Sequence, residues 1–218
     1  MRLTAASNTS NSTTSWDPSF DTSYYFGGPM ELFPRMQQWI NQNYPGTGIC
    51  VSEYFTDSDG TNGSTPGTTS GVIQAETLGL YGKYGLRLAA YWNGVTSGGT
   101  HLPVWNAFAM FRNYDGNGGH FGGVSIGAVS PIADVSIFGP SDSATAPTRL
   151  WVMIINKTSA AQNGVALQIA NFAPGAAAHL YQAAGGGAPT KLGDLPVTSG
   201  GLTVNLPALS TNLLVIAQ

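Results

Sequence analysis

Along the first half of the chain, apolar positions fall at helical spacing, interrupted by short runs that are almost wholly apolar. Leu32, Met36, Trp39 and Ile40 stand at offsets 0, 4, 7 and 8, which predicts an amphipathic helix ending near Asn43 with its core face, Trp39 included, on one side. Tyr44-Pro45-Gly46 stops it, because proline cannot continue the hydrogen-bond ladder and glycine supplies the turn. Gly48 to Phe55 then reads as a strand buried on both faces. A polar loop follows, then a looser helical stretch over 71–83. A second buried strand is expected from Leu86 to Trp92. Pro103 opens a last helix in which Val104, Ala107, Phe108 and Phe111 sit at offsets 0, 3, 4 and 7, and Asp115-Gly116-Asn117-Gly118-Gly119 closes it. Helices alternating with apolar strands indicate an α/β layout with parallel strands.

From about Phe121 the period drops to two. Val165, Leu167 and Ile169 alternate with Ala166, Gln168 and Ala170, and Leu202, Val204 and Leu206 alternate with Thr203 and Asn205. Arg149 to Asn156 is apolar on both faces, as a central strand requires. Further short strands are expected near 124–129, 134–138, 178–182 and 211–216. Many short strands separated by Gly, Pro and Ser predict an antiparallel β-sandwich. The chain thus divides, within 114–121, into an α/β segment of residues 1–118 and an all-β domain of residues 119–218.

Composition narrows the function. Only 9% of the 218 residues are charged, against roughly a quarter in an average domain, and the net charge is −3. Eight Lys and Arg cannot build a basic patch, so nucleic acid is not the expected partner. No apolar run approaches the roughly 20 residues of a membrane span, so no membrane partner is expected. The first 23 residues are rich in Ser, Thr and Asn, unlike an export signal, although the weakly charged, turn-rich composition is that of a secreted protein. Cys50 is the single cysteine; its apolar neighbours Ile49 and Val51 predict a buried thiol.

Three glutamates offer carboxylate chemistry. Glu31 and Glu76 fall on predicted helices, where a glutamate is ordinarily a solvated helix former. Glu53 differs because it ends an apolar parallel strand beside Tyr54 and Phe55, ahead of a long polar loop. Catalytic groups of α/β barrels stand at such strand ends, and burial beside aromatics would tune a carboxylate for acid/base or nucleophilic work. Trp92 closes the second strand in the same way, and an aromatic face at the mouth of a polar cleft suits a sugar ring. Gly123-Val124-Ser125-Ile126-Gly127 fits the G-x-S-x-G nucleophile elbow, but in a chain with 29 Gly the match has little force, and no helix follows it. His101, His120, His179 and Asp134 are nominal partners for Ser125, whose simpler identity is a strand residue of the sandwich. The histidines lack metal spacing and the Asp57-Ser58-Asp59-Gly60 loop lacks the downstream acid of a calcium site, so neither metal nor cofactor is expected.

The order of segments carries a resemblance. Trp16-Asp17-Pro18-Ser19-Phe20, then Phe33 through Thr47, then Ser52-Glu53-Tyr54, then Phe111-Arg112-Asn113-Tyr114-Asp115-Gly116, then Ile155-Asn156-Lys157-Thr158 resembles glycoside hydrolase family 44 over roughly residues 16–216. That resemblance implies the last two strands of a (β/α)₈ barrel followed by a β-sandwich. It also implies a retaining endo-β-1,4-glucanase or xyloglucanase, with a β-glucan polysaccharide or oligosaccharide as partner. Glu53 matches the nucleophile of the family's Glu-Tyr motif and Trp92 an aromatic that floors a sugar subsite; Tyr54 and Trp16 join it as expected substrate contacts. Phe55 departs from the family's Glu-Tyr-Asn.

The same resemblance puts the first six barrel strands, with the Asn-Glu motif of the general acid/base, outside this chain. A retaining mechanism needs two carboxyl groups about 5–5.5 Å apart. Two apolar barrel strands standing alone would leave a hydrophobic surface, so self-association covering it is expected. A non-catalytic carbohydrate-binding or structural remnant is the competing reading, and a serine esterase using Ser125 a third.

Overall fold

The computed structural model describes residues 2–4, 31–57, 67–92 and 94–218. Its α/β part is a three-stranded parallel sheet, β1 (Arg2–Thr4), β2 (Cys50–Asp57) and β3 (Leu88–Tyr91), in the order β1-β2-β3. Helix α1 (Leu32–Asn43) precedes β2, α2 (Thr68–Lys83) joins β2 to β3, and α3 (Pro103–Arg112) follows a small hairpin of β4 (Thr96–Ser97) and β5 (Thr100–His101). The sheet is a partial one, not a closed barrel. β1 has no counterpart among the predicted elements: Leu3 is its one apolar residue, too little for a pattern.

The all-β part follows in β6 (Val124–Ile126), β7 (Val135–Ser141), β8 (Arg149–Asn156), β9 (Gln162–Gln168), β10 (Ala177–Ala184), β11 (Thr190–Lys191), β12 (Leu195–Pro196), β13 (Gly201–Leu206) and β14 (Ser210–Ala217). The main sheet runs β11-β10-β14-β8-β7-β6, with β12 also on β10, and its pairs are antiparallel. Antiparallel β13 and β9 form the second, smaller sheet.

β8 explains how the halves join. Its odd residues Trp151, Met153 and Ile155 pack against Val72 and Ala75 of α2 and Ala107, Met110 and Phe111 of α3. Its even residues Leu150, Val152 and Ile154 pack against Leu202, Val204 and Leu206 of β13. The strand is apolar on both faces because helices cover one and the small sheet covers the other. Full burial of each such side chain contributes about 1.5–3 kcal/mol.

Helix α2 is pressed from several sides, and residues 70–77 are all buried. That is why its sequence showed only a loose helical pattern. A Cβ on Gly71 would stand 2.8 Å from the carbonyl oxygen of Pro103, so glycine sets the distance between α2 and α3. A Cβ on Gly82, the penultimate residue of the helix, would meet nothing within 4 Å. Gly71→Ala is therefore expected to destabilise the fold by about 1–3 kcal/mol despite alanine's better helix propensity. Gly82→Ala is expected to stabilise it by about 0.5–1 kcal/mol. Urea unfolding of the two variants checks the opposite signs.

Three burial expectations are corrected. Strand β2 is not covered on both faces, and Cys50 is exposed. Leu88 on β3 is 61% exposed. On α1 the buried residue is Phe33, whose ring meets Tyr81 edge-on at 5.7 Å, while Trp39 is 56% exposed. The common cause is missing cover: α1 is anchored through its first turn, and among the described residues no element packs over the outer side of β3.

Candidate active site

The register of β2 on β3 contains an irregularity that decides where Glu53 points. Cys50 pairs with Leu88 and Val51 with Ala89, but Tyr54 pairs with Tyr91, so β2 spends three steps where β3 spends two. One extra residue breaks the pleat's alternation. Ser52 and Glu53 are consequently both exposed in succession, and Tyr54 turns inward. Pairing with β1 carries β2 on to Asp57, which makes Glu53 the fourth residue of eight and not the strand's end. Glu53 is also not buried among aromatics, as its neighbours in sequence had implied; the bulge presents it to solvent.

Tyr54 is the fixed point beneath it. The side chain is 2% exposed, and its ring meets those of Tyr81 and Tyr91 edge-on at 5.2 and 5.4 Å. Gln74 Nε2, on buried α2, donates to the Tyr54 hydroxyl at 2.8 Å. Burial raises the Tyr54 hydroxyl above its ordinary range, outweighing the lowering by Gln74, so the group stays a neutral phenol. The Tyr54 carbonyl accepts the backbone N–H of Trp92 at 2.8 Å. One residue therefore carries Glu53 as its chain neighbour and Trp92 on its carbonyl. Trp92 is 67% exposed, leaving its indole free for contact. Tyr54 itself, expected to touch sugar, faces inward and supports the two residues that do not. Trp16 lies outside the described residues.

Gln74 escaped the sequence reading; its signal was a lone amide between Ile73 and Ala75 on a helix with little polar periodicity. Gln74→Leu leaves the Tyr54 hydroxyl buried without a partner and is expected to cost about 1–3 kcal/mol, most of it recovered when Tyr54→Phe is added. Denaturant melts of both single variants and the double variant check this.

The remaining two glutamates differ in their surroundings. Glu31 occupies the N-cap position of α1 in the left-handed region, at φ 39°. Glu76 is no solvated helix former but is buried, accepting a hydrogen bond from Ser136 Oγ at 2.7 Å and facing Lys157 Nζ at 2.9 Å. Its partner is 81 residues away in sequence, beyond the reach of any local pattern.

Ser125 lies exposed on the short edge strand β6, with no helix after it. His101 is stacked on Trp105 at 4.4 Å, His120 Nδ1 lies 3.4 Å from the Gly118 carbonyl, and His179 pairs with Asp194 at 2.7 Å. None of the three is hydrogen-bonded to Ser125, so the parts of an esterase triad are not brought together. Among the described residues no three His, Cys, Asp or Glu side chains converge on a metal position, and no helix is long and apolar enough to cross a membrane.

Comparison with known proteins places this geometry. No protein-family profile matches the chain. Endoglucanase A of Paenibacillus lautus is 29% identical over 146 residues, which is 65% of this chain and 20% of that protein. The crystal structure of CelM2, a bifunctional glucanase-xylanase from a metagenome library, superposes with a TM-score of 0.81 at 31% identity, covering 94% of this chain and 38% of CelM2. A family 44 xyloglucanase of Paenibacillus polymyxa, solved with xyloglucan, gives a TM-score of 0.82 at 20% identity over 97% of this chain and 41% of its own. The chain thus spans a fifth of the endoglucanase and about two-fifths of the solved relatives. In sequence and in fold, it resembles the C-terminal portion of the glycoside hydrolase family 44 endoglucanases and xyloglucanases.

Proposed function

We propose that this chain is the nucleophile-bearing part of a secreted retaining glycoside hydrolase acting on β-1,4-glucan, of the cellulose or xyloglucan type. Glu53 is the nucleophile and Trp92 the platform for a sugar ring. The observation that carries the reading is their shared mounting. Both are exposed, and both are fixed by buried Tyr54, one through the chain and one through a 2.8 Å backbone hydrogen bond.

In this mechanism the Glu53 carboxylate attacks the anomeric carbon as the glycosidic oxygen departs, giving a glycosyl ester that water then hydrolyses. The departing oxygen needs a proton from a second carboxyl group. Glu76 is paired with Lys157, and the Glu31 carboxylate makes no capping hydrogen bond on α1; this reading takes the proton donor from polypeptide other than the described residues. The uncovered side of β3, with Leu88 at its surface, suits association with such polypeptide or with a second copy of the chain. Sedimentation of the pure chain over a range of concentrations distinguishes the two.

The nucleophile is testable without the proton donor. A 2,4-dinitrophenyl 2-deoxy-2-fluoro-β-cellobioside carries a leaving group that departs unprotonated, and its fluorine slows hydrolysis of the ester. Mass spectrometry of the treated chain is expected to show one added glycosyl group on the peptide containing Glu53. A label on another residue, or none, overturns the assignment. Cello-oligosaccharide binding in the absence of label would support instead the reading of a non-catalytic carbohydrate-binding remnant.

A further inference from the structure

Helices α2 and α3 pack tightly on β8, β14 and β10, but between them and the outer strands β7 and β6 lies a cavity of about 780 Å³. Its walls are aromatic: Phe108 and Phe111 from α3, Phe121 from the segment entering β6, and Phe138 from β7. Phe111 and Phe121 meet edge to face at 4.9 Å, which holds that wall in place. A well-packed interior leaves few voids larger than a water, whereas ligand pockets span roughly 300–1,000 Å³. None of the residues lining it belongs to the Glu53–Trp92 site.

Glycine keeps the space open. Gly82 on α2, and Gly123 and Gly127 on either side of β6, border the cavity, and a Cβ on any of them would meet nothing within 4 Å. These three positions have room for a Cβ, whereas Gly79 and Gly122, also in the lining, are closed off by Phe138 and Trp151.

The charge on the lining has one sign. Lys83 and Arg112, in the last turns of α2 and α3, are its two charged residues, and no carboxylate accompanies them. Each exceeds the half-unit of negative charge at its helix end, so the rim stays positive. Both are solvent-exposed, and among the described residues neither is in an ion pair with a carboxylate; Lys83 Nζ lies 5.7 Å from the Tyr84 ring. Ser125 adds a hydroxyl with no hydrogen-bond partner among the described residues.

We propose that this cavity is a second ligand site and that it takes an amphipathic organic anion. A flat aromatic or alkyl body lies among the four phenylalanines, with a single carboxylate or sulfonate at Arg112 and Lys83. The walls account for an apolar body, and the unopposed cations at the mouth account for the anionic head.

The test uses 8-anilinonaphthalene-1-sulfonate as the anionic probe and N-phenyl-1-naphthylamine, which shares its ring system but lacks the sulfonate. Fluorescence titration of the whole chain is expected to show one saturable site for the sulfonate, with decanoate displacing it. Arg112→Gln is expected to weaken the sulfonate about 5-fold and the neutral amine less than about 2-fold. Gly82→Leu and Gly127→Leu fill the space from opposite walls, and each is expected to abolish binding of both probes without lowering the thermal midpoint. Sulfonate binding that survives both plugging variants overturns the site. Equal binding of the two probes, with no effect of Arg112→Gln, overturns the anion and marks an unselective apolar face of the kind another polypeptide covers.

Discussion

Glu53→Gln is expected to abolish covalent trapping by the fluorinated cellobioside, a loss on the order of 10⁴-fold or more in rate, while leaving the thermal midpoint unchanged. The two halves of that expectation have separate causes. An amide oxygen is too weak a nucleophile to displace a leaving group at the anomeric carbon, so the covalent step has no substitute within the bulge. The side chain is exposed and none of the described hydrogen bonds depends on it, so the fold should change by no more than about 0.5 kcal/mol. Time-resolved mass spectrometry gives the first quantity and a thermal melt the second. A variant that still acquires the label would show that another residue attacks, and a lowered midpoint would show that Glu53 holds the strand together.

Lys157→Met is expected to cost about 3–5 kcal/mol, enough to lower the midpoint by roughly 10 °C in a chain of this length. Glu76 is 1% exposed and Lys157 9%, with Nζ and Oε1 2.9 Å apart. Removing the ammonium strands a carboxylate out of water with Ser136 as its remaining partner, while its other oxygen, Oε2, is unpaired. Most of that cost comes from the uncompensated charge and not from the lost attraction. The double variant Glu76→Leu with Lys157→Met should therefore regain most of the loss, because an apolar pair leaves no charge to desolvate. Guanidinium unfolding of wild type, single and double variants measures this. A Lys157→Met variant within 1 kcal/mol of wild type would mean that Glu76 finds water or another cation.

What the sequence made legible is what depends on local spacing. Pro103 at the first position of α3, with Val104, Ala107 and Phe111 on its buried face, follows from helix geometry and a fixed proline φ. The both-sided apolar character of Arg149 to Asn156 identified a central strand, and the layers on its two faces account for it. Covering was not legible. An apolar strand implies that something packs on each face, but not that the something is present, and so Cys50, Leu88 and Trp39 are exposed where burial was expected. The burial of Glu76 has no local signal because its environment is built by Ser136 on β7 and Lys157 just after β8, both distant in sequence.

At the candidate site, Glu53 and Trp92 are nominated by their positions beside apolar runs and by the resemblance, and the structure shows both exposed. Their joint dependence on Tyr54 was not, since it arises from one residue of excess in the pairing of β2 with β3. A slip of that kind changes which side chains face out without changing composition or period.

The packing of α2 and α3 against β8 bears on how this architecture can be recombined. Val72 and Met110 sit in the same core as Trp151, and the Glu76–Lys157 pair crosses from α2 to the residue that follows β8. A sandwich grafted onto a foreign barrel would arrive without the surface it is shaped to meet, exposing one face of its central strand. In a chimera the exchangeable unit must include both helices, so the natural seam for domain swapping lies upstream of α2 and not in the turn after α3.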